Sequence, residues 1–402
     1  MCKKDTELQL QLLDKEELGK RLSRIKAAME ACGLDSILIS DNANKFYITG
    51  RVFSGFIYYN IADQWPVYAV KRPTVLHDNR MCTIKKPENL AEILYDSTLC
   101  NAPTRLGMEL NLCPYSQVLR IEKALPEVTV KDASAVMRQA RSVKTPLQVV
   151  LMKESEERMT RVYKEIPGLY RPGMSDIELQ IEIERALRLE GCLGQFRISG
   201  DEMELFMGSL LVGENSDTPS PYDFAMGGAG MHPSLPVGAD GTLIRPNQPV
   251  MVDMNGNFNG YMVDMTRCYA DGEVPQTVLS AHRLSCKIVA ELTAMARPGV
   301  EAKALYERAY AMAVQAGLES YFMGHRQHAG FVGHGIGIEV NEAPVLAPRS
   351  RDILEAGNTI ALEPKFVLPG HGAVGIENTI LVKESGQAET LTTCPEDIIP
   401  LS

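Results

Sequence analysis

The sequence predicts two parts: an α/β domain at the N-terminus, then an α+β domain in which helices cover one face of a curved antiparallel sheet. Three observations predict this. Helical and strand patterns alternate through roughly the first 140 residues. Beyond them, Arg171-Pro172-Gly173 recurs as Arg297-Pro298-Gly299, with Glu165 and Glu291, and Gly191 and Gly317, at the same offset of 126. Strand-rich segments, 247–270 and 358–382, follow each helical pair.

The elements follow in order. Leu18, Leu22, Ile25 and Met29 fall at helical spacing, and Gly33 suits the left-handed position after a helix. Ser36-Ile37-Leu38-Ile39-Ser40 reads as a buried strand, and Phe56–Tyr59 and Val67–Val70 as two more. The spacing predicts a helix over 115–124 and a strand at Val128–Val130. No phosphate loop or dinucleotide fingerprint occurs. A boundary is expected near Ser142–Pro146, giving domains 1–143 and 144–402. A long helix is expected from Pro146 to about Glu165, and Ser175 with Glu178 suits a capping box. The 247–270 segment predicts a hairpin with turn residues at Asn255-Gly256 and Asn259-Gly260. The 358–382 segment predicts two strands around Pro369-Gly370.

Composition excludes several roles. With 41 basic against 51 acidic residues, the net charge of −10 argues against nucleic acid as the main partner. No run of 18 apolar residues is present, so a membrane span is not expected. The N-terminus carries charge where a signal peptide needs an apolar core, and Cys2 is not read as a lipidation site. Nine scattered cysteines without a C-x-x-C pair fit reduced thiols and a cytoplasmic chain.

The chemistry lies in acids placed inside apolar strands. Asp253 and Asp264 occupy the first predicted hairpin; Glu363 follows Ile360-Ala361-Leu362, and Glu377 precedes Thr379-Ile380-Leu381. A carboxylate in such a strand costs several kcal/mol unless paired or metal-bound. No basic run is placed to neutralise all four, although Arg267 can pair with one. His334 stands between the hairpins in Gly-His-Gly. Four carboxylates and an imidazole suit two divalent ions such as Mn, Co, Fe or Zn, whose charge would balance the cluster. A bridging carboxylate pair would hold them roughly 3.5–4 Å apart, with a water between them acidified into a nucleophile.

The order Asp253, Asp264, His334, Glu363, Glu377, in VDMNGNFNGYMVDMTR, GHGIGIEVNEAP and LEPKFVLPGHGAVGIEN, resembles the pita-bread metallopeptidases. The first 140 residues, including NANKFYITG, are similar to the creatinase/prolidase N-terminal domain. The resemblance implies an α/β N-terminal domain plus an α+β pseudo-symmetric pita-bread (creatinase/aminopeptidase) catalytic domain. It implies a homodimer acting on a small peptide or small-molecule substrate. In the ligand set it implies, Asp253 binds one ion, Asp264 and Glu377 bridge both, and His334 and Glu363 complete the other shell. Glu363 would also be the general base, and His232 would stand beside the substrate. The implied activity is Xaa-Pro peptide hydrolysis, of dipeptidase or aminopeptidase P type, by a metal-bridging hydroxide.

Three positions depart from that pattern. Asn341 stands where the peptidases have a second histidine, and an amide donates a hydrogen bond but moves no proton. Lys365 replaces the glycine of Glu-Pro-Gly, and Gly375 replaces an arginine two residues before the last ligand. Lys365 is expected to bind a substrate carboxylate or other anion. These departures keep open a family member acting on a non-peptide small molecule, as a C–N hydrolase or lyase. Creatinases lose ligands that this chain keeps, and the lyases carry an extra aspartate where this chain has Asn255. A non-catalytic binding module would gain nothing from four strand-buried acids. His325, His328 and His371 are read as loop histidines outside the core site.

Overall fold

The computed structural model describes residues 13–74, 78–198 and 206–401; Cys2 and the charged N-terminal segment before residue 13 lie outside them. The chain forms two compact units that meet in sequence between Arg141 and Ser142.

In the first unit, helix α1 (Lys15–Ala31) begins at Asp14, whose carboxylate accepts the Glu17 amide, and Gly33 follows its end at φ +67. Strand β1 (Ser36–Ile39) is buried throughout, and helix α2 (Asn42–Thr49) stops at Gly50, also left-handed. Strands β2 (Gly55–Asn60), β3 (Val67–Val70), β4 (Met81–Thr83), β5 (Arg105–Met108) and β6 (Thr129–Asp132) complete a mixed sheet of order β4-β3-β2-β1-β5-β6. Helix α3 (Tyr115–Ala124) buries Val118 and Ile121 beside Leu106 and Met108.

The second unit is built twice. Helix α4 (Pro146–Leu169) starts at a Thr145/Gln148 capping box and extends one turn beyond the predicted end. Helix α5 (Asp176–Leu189) starts at the Ser175/Glu178 box. After strands β7 (Gly208–Val212), β8 (Pro249–Asn257) and β9 (Met262–Ala270) come helices α6 (Gln276–Met295) and α7 (Ala302–Gln315). Helices α5 and α7 have the same length and sit at the offset of the sequence repeat. The glycines that bound them, Gly173 and Gly299, Gly191 and Gly317, all have positive φ, which a side chain would strain. Each helix pair seals its own apolar cluster. Val162, Tyr163, Leu179 and Ile183 pack with Val252 and Met265 of the first hairpin. Ile288, Leu292, Leu305 and Ala309 pack with Ile360, Phe366 and Ile380 of the second half.

Strands β10 (Gly333–Ile336), β11 (Val340–Val345), β12 (Thr359–Leu362), β13 (Lys365–Leu368), β14 (Gly372–Gly375), β15 (Asn378–Leu381), β16 (Glu389–Thr390) and β17 (Ile399–Pro400) follow. They form a β11-β10-β12-β15-β16 sheet and a β13-β14 ribbon, while β17 joins the first hairpin in the order β17-β9-β8-β7. Two sequence expectations are corrected. The 358–382 segment makes four strands rather than two, because Pro364 has no N–H to continue the ladder past Glu363. Asn255-Gly256 lies within β8 rather than in a turn, since 249–257 pairs with 262–270 without a break. Among the described residues, no helix is long and apolar enough to cross a membrane, and the cysteines are free thiols.

Glu156 is buried on α4, with Thr392 Oγ1 donating to its Oε2 at 3.1 Å and no hydrogen bond at Oε1. Burial pushes its carboxyl up from 4.5 to about 7. The fold thus prefers the neutral form. The stability this group contributes is fully present below about 4.5 and is lost as pH rises to about 7. Glu156→Gln keeps the shape without the charge and is expected to add about 2–3 kcal/mol at pH 8 and little at pH 4. Urea unfolding at the two pH values checks this, and an equal effect at both contradicts it.

Candidate active site

Asp253 and Asn255 lie two apart on β8 and so share one face of the hairpin. The register sets Asn255 opposite Asp264 and Asp253 opposite Thr266. In the second sheet, His334 of β10 lies opposite Ala361 of β12, and Leu362 of β12 lies opposite Asn378 of β15. Glu363 directly follows β12 and Glu377 directly precedes β15, so the ladder brings both beside His334. Two backbone bonds hold the ends in place: Glu363 N donates to Val332 O at 3.0 Å, and Glu377 N to Thr266 O at 3.1 Å.

The five residues line one open cavity, together with Asn255 and Asn341. Phe196, Phe224, Met226 and Phe331 form apolar parts of its wall. Asp264, His334, Glu363 and Glu377 are buried; Asp253 is partly so. Ligand-type atoms of Asp264, His334 and Glu377 lie within 4.8 Å of one another. His334 Nε2 stands 3.3 Å from Glu363 Oε1 and 3.8 Å from Asp264 Oδ2. Glu377 Oε2 accepts from Thr266 Oγ1 at 2.9 Å, whereas its buried Oε1 has no hydrogen-bond partner. Such an oxygen is costly, and one divalent ion held by Asp264, His334 and Glu377 would satisfy it with suitable donors.

Lys365 corrects the sequence reading. It is fully buried, and it is not among the residues that line the cavity. Its Nζ donates to Glu363 Oε2 at 2.7 Å and Asp253 Oδ2 at 2.8 Å, and lies 3.5 Å from Glu377 Oε2. It therefore supplies the cation that the sequence seemed to lack and is not open to a substrate carboxylate. The cause is local. Lys365 and Gly375 are cross-strand partners in the β13–β14 ribbon, and a Cβ at Gly375 would come within 2.9 Å of Lys365 Cγ. The two departures noted in the sequence are thus one feature: the bare glycine makes room for the lysine stem. Arg267 does not meet the Glu377 carboxylate either. Fully buried, it donates to the backbone oxygens of Thr266, Glu377 and Cys394 and to Asn378 Oδ1, at 2.7–2.9 Å, fixing the chain around Glu377.

The electrostatics follow from burial and crowding. Burial pushes the Asp264 carboxyl well above its ordinary range, and the charges of Glu377, Asp253 and Glu363 push the same way. Burial also lifts Glu377 to about 8, against the pull of Lys365. Burial would raise Glu363 too, but the Lys365 ammonium and the His334 hydrogen bond outweigh it and hold the group at about 2. The Lys365 ammonium is desolvated, yet three carboxylates hold its pKa well above the usual lysine range. Burial likewise works against the His334 cation, which Glu363 and Glu377 favour. Negative charge is thus in excess around Asp264 and Glu377, where Lys365 neutralises least.

Asn341 lines the cavity from β11, with a left-handed backbone (φ +64) that asparagine tolerates. His232 stands apart from the cluster. It is exposed in a tight turn closed by Leu235 N on His232 O, its Nδ1 lies 2.9 Å from Ser234 Oγ, and it is not part of the cavity wall. His325 pairs with Asp217 at 2.8 Å instead of standing free in solvent. Sequence reasoning missed Ser209, Asp223 and Phe224 as wall residues. Asn255 reads in the sequence as a turn residue and as a difference from the lyases, although its two-residue spacing from Asp253 signals the shared face. The 223–226 segment lies outside any strand, so no periodicity marks it.

Comparison with known proteins places this geometry. The profile of metallopeptidase family M24 matches residues 150–384, and that of the creatinase/prolidase N-terminal domain matches residues 21–143. The uncharacterized peptidase YqhT of Bacillus subtilis is 24% identical over 385 residues, spanning 95% of this chain and 100% of its own. The Xaa-Pro dipeptidase of Pyrococcus furiosus is 22% identical over 388 residues, spanning 95% and 100%. The solved structure of an Xaa-Pro dipeptidase from Bacillus anthracis superposes with a TM-score of 0.77 at 22% identity, covering 95% of this chain and 99% of its own. The fold is thus the predicted one, a creatinase-type α/β domain followed by a pita-bread domain.

Proposed function

The chain belongs to metallopeptidase family M24 and is a hydrolase, and from that premise we propose that it cleaves Xaa-Pro peptide bonds in small peptides. One observation carries the reading: a cavity whose wall gathers Asp264, His334, Glu363 and Glu377, with an unsatisfied oxygen on Glu377. A divalent ion on Asp264, His334 and Glu377 would supply Lewis acidity and acidify a bound water. Glu363, on the cavity wall between His334 and Lys365, is the proton acceptor. Asn341 presents an amide that can donate to the carbonyl oxygen of the scissile bond. Phe196, Phe224 and Phe331 give an apolar wall that packs a substrate side chain and excludes water. His232 has no part in this reading, because the turn that holds it leaves it outside the cavity wall.

A second reading is favoured by Asn341 and by the displaced cation at Lys365: C–N hydrolysis or elimination on a non-peptide small molecule in the same cavity. The two separate in a panel of Xaa-Pro and Xaa-Ala dipeptides offered to protein dialysed against Mn, Co, Fe or Zn. The peptidase reading expects cleavage confined to the Xaa-Pro members. Protein that holds metal and cleaves none of them sinks it in favour of the second.

A further inference from the structure

We infer that Lys365 takes the place of one of two cations, so that this centre holds a single divalent ion. The inference rests on the reading of Asp264, His334 and Glu377 as ligands. A two-ion centre needs Asp253 as a ligand of its own and Glu363 beside it. Here one oxygen of each, Asp253 Oδ2 and Glu363 Oε2, is taken by the same ammonium at 2.8 and 2.7 Å. A dication bound to the same oxygens would stand against that ammonium, like charge on like charge.

The lysine cannot readily give way. Its side chain has no solvent exposure, and its stem runs over Gly375 in the space a Cβ would fill. Its backbone is fixed by the β13–β14 register and by Met323 N donating to Lys365 O at 2.8 Å. Charge leads to the same count. With all four carboxylates ionised by a bound dication, Asp253, Asp264, Glu363 and Glu377 carry four negative charges, so the ammonium and one dication leave the cluster slightly negative. A second dication would turn it positive until a hydroxide bound between the ions. What remains outside the lysine's reach is sufficient for one ion. Asp264 makes no ion pair with Nζ within 4.0 Å, and Glu377 keeps its Oε1 unsatisfied. Three protein ligands with an open position make a competent catalytic metal site.

The test is a metal count. Wild type, Lys365→Gly and Asp253→Asn are equilibrated with Mn or Zn, and ions per chain are read by elemental analysis, with circular dichroism as a folding control. The inference expects one ion in wild type, two in Lys365→Gly, where the ammonium is gone and its space open, and one in Asp253→Asn. Two ions in wild type, one in a folded Lys365→Gly, or none in Asp253→Asn overturns it. If Lys365→Gly does not fold, the other two counts decide. Two ions in wild type leave the proposed peptidase standing, whereas no ion in wild type removes both.

Discussion

Glu363→Gln is expected to lower kcat/KM for the cleaved peptide by about 10³-fold, with the loss in kcat rather than KM. Glu363 accepts from the Lys365 ammonium at 2.7 Å through Oε2, while its Oε1 stands 3.3 Å from His334 Nε2, and the residue opens on the cavity. A carboxylate accepts from the ammonium at one oxygen and takes a proton from water at the other. Glutamine cannot take the proton. The substitution is isosteric, so an intact circular dichroism spectrum together with an unchanged KM isolates the chemical role. A fall of less than about tenfold would remove Glu363 from the proton path.

Lys144→Met is expected to cost about 3–5 kcal/mol of stability, measured by denaturant unfolding. Lys144 Nζ lies 2.9 Å from Glu342 Oε2, and both side chains are 1% exposed. Glu342 Oε1 meanwhile accepts the amides of Ile338 and Glu339 at 3.2 Å each. This pair pins the segment that runs from the His334 strand to Asn341. Removing the ammonium leaves a carboxylate buried without that cation, which costs far more than the pair itself contributes. Lys144→Met with Glu342→Leu should therefore recover much of the loss. A single-variant loss below about 1 kcal/mol would contradict the account.

How far the sequence spoke depended on the range of each signal. Local signals were legible: capping at Ser175 and Glu178, the Gly33 helix end, and the repeat that becomes α5 and α7. The acids of the centre stood out because carboxylates rarely sit inside apolar strands. Chain breaks were harder. Pro364 was visible but not read as splitting a strand, and Asn255-Gly256 looked like a turn although the unbroken pairing of 249–257 overrode it. The fate of Lys365 was the largest miss. A lysine after Glu-Pro reads as a loop residue unless the hairpin register is drawn. Positions 365 and 375 are symmetric about Gly370, so the Pro369-Gly370 turn already implied that the added lysine faced the missing side chain. His232 stands outside the cavity wall, because a motif match fixes a place in the sequence and not the direction a turn takes.

The most direct test of the central claim, a metal-dependent hydrolytic centre on Asp264, His334 and Glu377, is dipeptide hydrolysis before and after chelation. The account predicts that chelated, dialysed and still folded protein loses Xaa-Pro cleavage, and that added Mn, Co, Fe or Zn restores it. Cleavage that survives removal of the metal would contradict it.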